Sequence, residues 1–406
     1  MGPAGAVIDV QTQALYDFEP VALLLLGGAL LALGPVLWVW RRNAGAGAAR
    51  RLHALTVLTL FLTFDLTLFG AFTRLTDSGL GCPDWPGCYG NASPLGARHE
   101  IAMAQSAQPT GPVTHAKAWI EMVHRYLATG VGALIVTLAL ATWWARRQQR
   151  LHQGGEPQVL SPLWPAATLV WVCLQGAFGA FTVTWKLFPA IVTLHLMGAV
   201  VLLMLLCIQA VRYQQAAAAR RPAAVTSSLR GWLWLGMGLL VVQIALGGWV
   251  STNYAVLACT EFPKCQGSWW PTMNFAQGFQ PWRHLGMDTA GAPIEFASLT
   301  AIHYTHRLMA YAVFAVLIVL FLKLRHVPAL RTQARWLGGL ALLQLATGLG
   351  NVLLGWPLAA AVLHTGGAAA LATVMTWALC ESRVQRGGLP QAPTRRPAFG
   401  PQEARP

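Results

Sequence analysis

Eleven histidines occur in this sequence, and five of them, His124, His195, His303, His306 and His364, fall inside long apolar stretches; His53 stands at the edge of another. An ionisable side chain in hydrocarbon is costly, so each must hold a metal, move a proton or bond a neighbouring helix. Four of the five recur at matching places. Ile120-Glu121-Met122-Val123-His124-Arg125 parallels Ile302-His303-Tyr304-Thr305-His306-Arg307, and His195 follows Gln175 at the distance at which His364 follows Gln344. Each of the four lies near one end of its stretch, His195 and His364 just after turns at Phe188-Pro189 and Trp356-Pro357. The two histidines of a pair therefore come to similar depth on different helices, as axial ligation of one haem from opposite sides requires. Zinc needs three or four converging ligands. The spare donors, Glu121 and His303, are single residues three positions before a proposed ligand, so paired imidazoles fit haem iron better.

The surroundings supply further chemistry. Arg125 and Arg307 each follow a proposed ligand, where a guanidinium can pair with a haem propionate or snorkel to lipid phosphate. Gly198, Gly366 and Gly367 leave room for a macrocycle or serve helix packing. Cys82 and Cys88 match Cys259 and Cys265 in spacing, each pair around a shared Pro, Pro86 or Pro263. Disulfides there would close short loops, as staples or as redox pairs. Cys173, Cys207 and Cys380 read as packing residues. The repeat breaks where Glu121 becomes His303, and where Arg74-Leu75-Thr76-Asp77 becomes Ser251-Thr252-Asn253-Tyr254. A carboxylate one turn from the iron can serve as general base in C–H oxidation, which assigns chemistry to the first half and electron transfer or structure to the second.

These residues need helices to carry them. The 406 residues are 55% hydrophobic and only 10% charged, with mean hydropathy +0.49, too apolar for a soluble globule. Nine stretches reach the roughly 20 residues that cross a bilayer, at 20–40, 53–73, 118–143, 163–184, 188–212, 230–252, 299–323, 333–355 and 357–380. The net charge of +14 does not signal nucleic acid. The basic residues cluster in every second connection (Arg41 to Arg51, Arg146 to Arg150, Arg212 to Arg221, Lys323 to Arg335, Arg383 and Arg386), which places the N-terminus outside and the C-terminus in the cytoplasm. The loops near 74–117 and 253–298 then face outward. The first stretch carries no charge and follows acidic residues, so it reads as an uncleaved span.

The repeat sets the expected architecture. It is an all-α polytopic membrane protein of two tandem four-helix bundles, pseudo-two-fold about the membrane normal, with one extra N-terminal helix. The divisions are 1–52 for the extra helix and basic linker, 53–221 and 222–382 for the two units, and 383–406 for a disordered tail.

From about residue 53 to 380 the chain resembles the haem A synthases. The resemblance rests on FTRLTDSGLGCPDWPGCYG from Phe72, EMVHR from Glu121, LHLMG from Leu194, HYTHR from His303 and LHTGG from Leu363. It implies oxidation of the C8 methyl of haem O to the formyl group of haem A, for terminal oxidase biogenesis. His124 and His195 would hold the substrate haem o, released as haem a, with Glu121 as catalytic carboxylate and Arg74, Arg125 and Arg307 around the cofactors. His306 and His364 would ligate haem b. No transit-peptide composition precedes the first helix, which favours a bacterial cytoplasmic membrane; the expected partners are a haem O synthase and an unspecified electron donor, with homo-oligomerisation open. Two other readings are an electron-transfer cytochrome with two bis-His haems and a thiol oxidoreductase of the outer face. The extra helix departs from the eight-helix core that the resemblance implies.

Overall fold

A computed structural model describes residues 18–151 and 161–385. Its long helices, in chain order, are α1 (Glu19–Arg42), α2 (Ala48–Leu75), α4 (His115–Leu151), α5 (Leu163–Thr184), α6 (Pro189–Ala217), α7 (Ser227–Thr252), α9 (Phe296–Leu324), α10 (Arg331–Leu353) and α11 (Leu358–Cys380), with the short α3 (Arg98–Ala107) and α8 (Phe275–Gly278) in the two long loops. Among the described residues nine helices are long and apolar enough to cross a membrane. Hydrocarbon offers the backbone no hydrogen-bond partner, and a helix meets that demand within each span. The same rule governs the polar residues inside spans. On α2 the hydroxyls of Thr56, Thr59, Thr63 and Thr67 donate to the carbonyls of Leu52, Leu55, Thr59 and Thr63 at 2.7–2.8 Å, so a buried threonine stripe leaves no donor unmet.

The helices form two rings. α2 packs on α4, α4 on α5, α5 on α6 and α6 on α2; α7, α9, α10 and α11 close a second ring in the same order. The rings meet through α6 against α11, α2 against α11 and α6 against α7. Exchanging α2 with α7, α4 with α9, α5 with α10 and α6 with α11 returns the same set of contacts, which is a pseudo-two-fold relation between the bundles. α1 lies outside both rings, packed on α4 and to a lesser extent on α2. Gly28 permits the approach, because a Cβ there would stand 2.8 Å from Thr129.

At the end opposite the cysteine loops, two short strands, β1 (Ala223–Val225) and β2 (Ser382–Val384), pair in parallel. Arg230 donates to the Ser382 carbonyl and, at 3.3 Å, to that of Leu379. The tail expected to be disordered from residue 383 is thus ordered through Gln385, whose N–H donates to Val225 O at 2.9 Å. The rest of that tail, the segment before Phe18 and part of the linker after Leu151 lie outside the described residues.

Candidate functional site

Both cysteine pairs are disulfides, Cys82–Cys88 and Cys259–Cys265, each with Cα atoms 4.9 Å apart. The two loops are built alike. Each contains a cis proline, Pro86 or Pro263, and each turns through two consecutive left-handed residues, Tyr89-Gly90 or Gln266-Gly267. An acidic side chain ties each turn down. Asp84 accepts from the N–H of Tyr89 at 2.6 Å and of Gly90 at 2.8 Å, and Glu261 accepts from that of Gly267.

Beneath the loops lies a cavity of about 1300 Å³ reaching into both bundles, and His124, His195, His306, His364, Glu121, Arg74, Arg125 and Arg307 all line it. His124 on α4 and His195 on α6 face one ring; His306 on α9 and His364 on α11 face the other. A glycine of an adjacent helix backs each imidazole. A Cβ on Gly70 or Gly247 would stand 3.0 Å from the ring of His124 or His306, and one on Gly179 or Gly348 3.3 Å from that of His195 or His364. His124 also lies parallel to Phe69, with 6.3 Å between ring centres.

The second pair allows the fit to haem iron to be tested. The rings of His306 and His364 are 6.4 Å apart between centres and nearly perpendicular, at 82°. An imidazole nitrogen sits about 2 Å from a first-row metal it ligates, and two such bonds in line, plus the reach from each nitrogen to its ring centre, come to about the same span. The Thr347 hydroxyl donates to Leu343 O at 2.7 Å. Its oxygen therefore accepts from His364 Nδ1 at 3.0 Å, leaving Nε2 unprotonated, as a ligand must be. His306 Nδ1 is buried without a hydrogen-bond partner, so this ring has a nitrogen in reserve. The donor set fits an iron porphyrin.

The glutamines of the repeat, whose type carried no role in the sequence, hold the ligand helices in place. Gln175 Nε2 donates to the carbonyl of His195 at 2.7 Å and Gln344 Nε2 to that of His364 at 2.8 Å. Gly198 and Gly367 make room for those amides, since a Cβ would stand 2.0 Å from Gln175 and 2.2 Å from Gln344. Gly366 meets Leu68 of the other half. The expected space for a macrocycle is thus not what these three glycines provide; the glycines backing the rings, Gly70, Gly179, Gly247 and Gly348, were the ones to find. Gln243, which donates to His306 O at 3.2 Å, was also missed, although a polar residue within an apolar stretch marks it.

The two arginines point into their loops. Arg125 donates to Asp84 O at 3.0 Å, Pro86 O at 3.1 Å and Gly87 O, and pairs with Glu121. Arg307 donates to Lys264 O at 3.2 Å and to Glu261 O. Glu121, 4% exposed, also accepts from the Cys82 N–H at 2.8 Å, so one carboxylate joins the disulfide loop to the helix of His124. In the second half His303 bonds Ala255 O instead, at 3.0 Å. Arg74 crosses between halves. It donates to Ser251 O at 2.7 Å, pairs with Asp77 at 3.2 Å and lies over the ring of Tyr254, 4.2 Å from its centre. The Tyr254 hydroxyl donates to Asp77 at 2.6 Å, and burial, outweighing the neighbouring guanidinium, raises its pKa above the ordinary value.

Fold and site together define a polytopic, all-helical membrane protein with two imidazole pairs in a cavity beneath disulfide-closed loops. Residues 53–376 match the model of a family described as COX15-CtaA, cytochrome oxidase assembly protein, and the chain belongs to that family. It is 38% identical over 317 residues to the heme A synthase of Shewanella oneidensis, covering 77% of this chain and 91% of that protein. It is 25% identical over 333 residues to the heme A synthase of Halalkalibacterium halodurans, covering 82% and 95%, and 25% identical over 360 residues to that of Paramagnetospirillum magneticum, covering 84% and 96%. α1 precedes the segment that the family model matches.

Proposed function

We propose that this chain is a haem A synthase, an oxidoreductase that converts the C8 methyl of haem O to a formyl group, and that the reaction takes place in the first bundle. The observation that carries the reading is the pairing of one imidazole from each of two facing helices, repeated in both bundles, with the second pair separated as a bis-ligated iron requires. In this reading residues 53–221 form the substrate unit and 222–382 the electron-transfer unit. His124 and His195 hold haem O, and His306 and His364 hold haem b, which when bound supplies one-electron chemistry. The loop end faces outward and the basic end the cytoplasm of a bacterial inner membrane, in line with the positive-inside bias.

The chain's own residues then do the following. Gly70 and Gly179 let the first pair of rings lie flush against α2 and α5. The disulfide loop, held down by Arg125, closes the site to water, which strengthens every electrostatic interaction within it. Glu121 is one turn from His124, where a carboxylate can take protons from the methyl as it is oxidised by four electrons. Its bonds to the Cys82 N–H and Arg125 hold it in place and link proton movement to the loop. Arg74, at the loop end of the cavity, meets a propionate of the substrate, while Arg125 is given over to Glu121 and the loop carbonyls. A haem O synthase supplying the substrate, a source of the formyl oxygen, and redox partners outside this chain that balance the four electrons complete the cycle.

Co-expression with a source of haem O, followed by extraction of the haems, tests the proposal. Haem A in the extract is the expected result; haem O or haem B alone overturns it.

A further inference from the structure

Along the cavity the first bundle has bare backbone at two places where the second has the larger side chains Phe314 and Leu345. On α4, Ala128, Gly132 and Val136 follow His124 at intervals of four and line the same cavity as its imidazole. Residues four apart share a helix face, and three such intervals run about 18 Å along the axis at 1.5 Å per residue. A Cβ on Gly132 would meet nothing within 4 Å, and neither would one on Gly176 of α5. α1 supplies the opposite wall with the stripe Leu25, Ala29 and Leu33, which also line the cavity. The groove is therefore apolar and continuous with the His124 site.

The repeat offset that carries His124 to His306 carries Thr129, Gly132 and Val136 to Tyr311, Phe314 and Ile318. Aromatic rings thus stand where the first half has a threonine side chain and a bare backbone. Among the described residues no helix stands beside α9 as α1 stands beside α4. The Tyr311 position could not accept one as Thr129 does, because beside Thr129 α1 already lies so near that even a Cβ added to Gly28 would stand 2.8 Å away.

We propose that this groove receives the hydrocarbon tail of the substrate haem, making α1 and Gly132 determinants of specificity for a polyprenylated porphyrin. The inference rests on the reading that the first imidazole pair holds haem O. That molecule differs from haem B by a farnesyl chain on the porphyrin edge away from the propionates. With the propionates at the polar loop end, the tail runs toward the basic end, the direction of the groove. Lipid is as apolar as the groove, so leaving it gains the tail little; what the groove adds is shape. It fixes the rotation of the macrocycle about the His–iron axis, and so decides which methyl group faces Glu121. In the second half the equivalent residues Ala310, Phe314 and Ile318 also line the cavity, but the Phe314 ring occupies the place that Gly132 leaves bare, which suits a haem without a tail.

The test substitutes the second half's residue into the first, as Gly132→Phe, with Gly176→Leu as a second obstruction. The full-length protein, its second-half haem b in place, is titrated with haem O and with haem B, and binding is read from the absorption spectrum. The haem b spectrum reports whether each variant is folded. Both variants are expected to weaken haem O binding by about tenfold or more, the discrimination that steric fit in an apolar pocket achieves, while changing haem B binding by less than about twofold. Equal weakening of both haems overturns the proposal. So does unchanged haem O binding, the result if the groove merely holds a lipid acyl chain. The two readings separate cleanly. Tail-dependent binding without oxidation overturns the catalytic reading and supports this one; oxidation with no discrimination by tail does the reverse.

Discussion

The two bundles share a scaffold and differ beside their paired histidines. Both place one histidine on each of two facing helices, back it with glycine and clamp a loop with arginine. In the first bundle the position one turn before the ligand is Glu121, tied to Cys82 and Arg125; in the second it is His303, tied to a backbone carbonyl. On α10 Thr347 fixes the proton of His364, whereas the repeat-equivalent residue on α5 is Phe178, and Gln175 lies 3.1 Å from His195 Nδ1 instead. A ligand whose second nitrogen is bonded by a hydroxyl suits a permanently held iron. A carboxylate beside the ligand suits a site that must move protons.

That contrast can be broken most severely at the ligands. His306→Ala or His364→Ala should abolish the second-half haem, read as haem bound per protein, while His124→Ala and His195→Ala should leave that haem in place and lose haem O. Equal loss of both haems from all four variants would mean that the bundles are not independent sites.

Next in size is the carboxylate. Glu121→Ala leaves the largely buried Arg125 guanidinium without its counter-charge, a change that costs roughly 3–5 kcal/mol when an ion pair is broken from one side. Thermal unfolding should show it. Glu121→Gln keeps an acceptor for the Cys82 N–H and should retain more stability and the haem, yet form no haem A. Full haem A yield from Glu121→Gln would remove the proton role.

A smaller effect belongs to the second half. Thr347→Val deletes the acceptor of His364 Nδ1–H, and loss of such a partner typically lowers metal affinity about 10–100-fold. Competition with an external haem-binding protein would measure it, and haem O binding in the first half should not change.

The smallest concerns the contact between bundles. Arg74→Ala removes the bond to Ser251 O and the stacking on Tyr254, together about 1–2 kcal/mol. A lowered unfolding midpoint with unchanged haem b is expected, and no shift at all would show that the crossing is not structural.

Much of this was legible in the residues. A bilayer demands about 20 apolar residues per span, so nine spans can be counted, and the duplication follows from anchors such as Gly70 with Gly247 and Gln175 with Gln344. The histidines stand out because hydrocarbon makes them costly. Their bonding was less legible. Arg125 and Arg307 were expected at propionates, yet their guanidiniums donate to loop carbonyls, because a turning loop exposes carbonyls that no helix satisfies. Gly198 and Gly367 were expected to make room for haem and make room for glutamine instead, since the direction of a missing side chain depends on which helix lies opposite.

Sequence alone determined the number of the spans, the tandem repeat and the four imidazoles, because burial in lipid and duplication both leave a linear record. Only the tertiary structure decided that the two rings meet through α2, α6, α7 and α11, that Arg74 of one half reaches Ser251 of the other, and that α1 walls a groove beside His124. Those facts depend on which helices become neighbours, and neighbourhood between residues far apart in the chain is fixed by packing, which composition and periodicity do not encode.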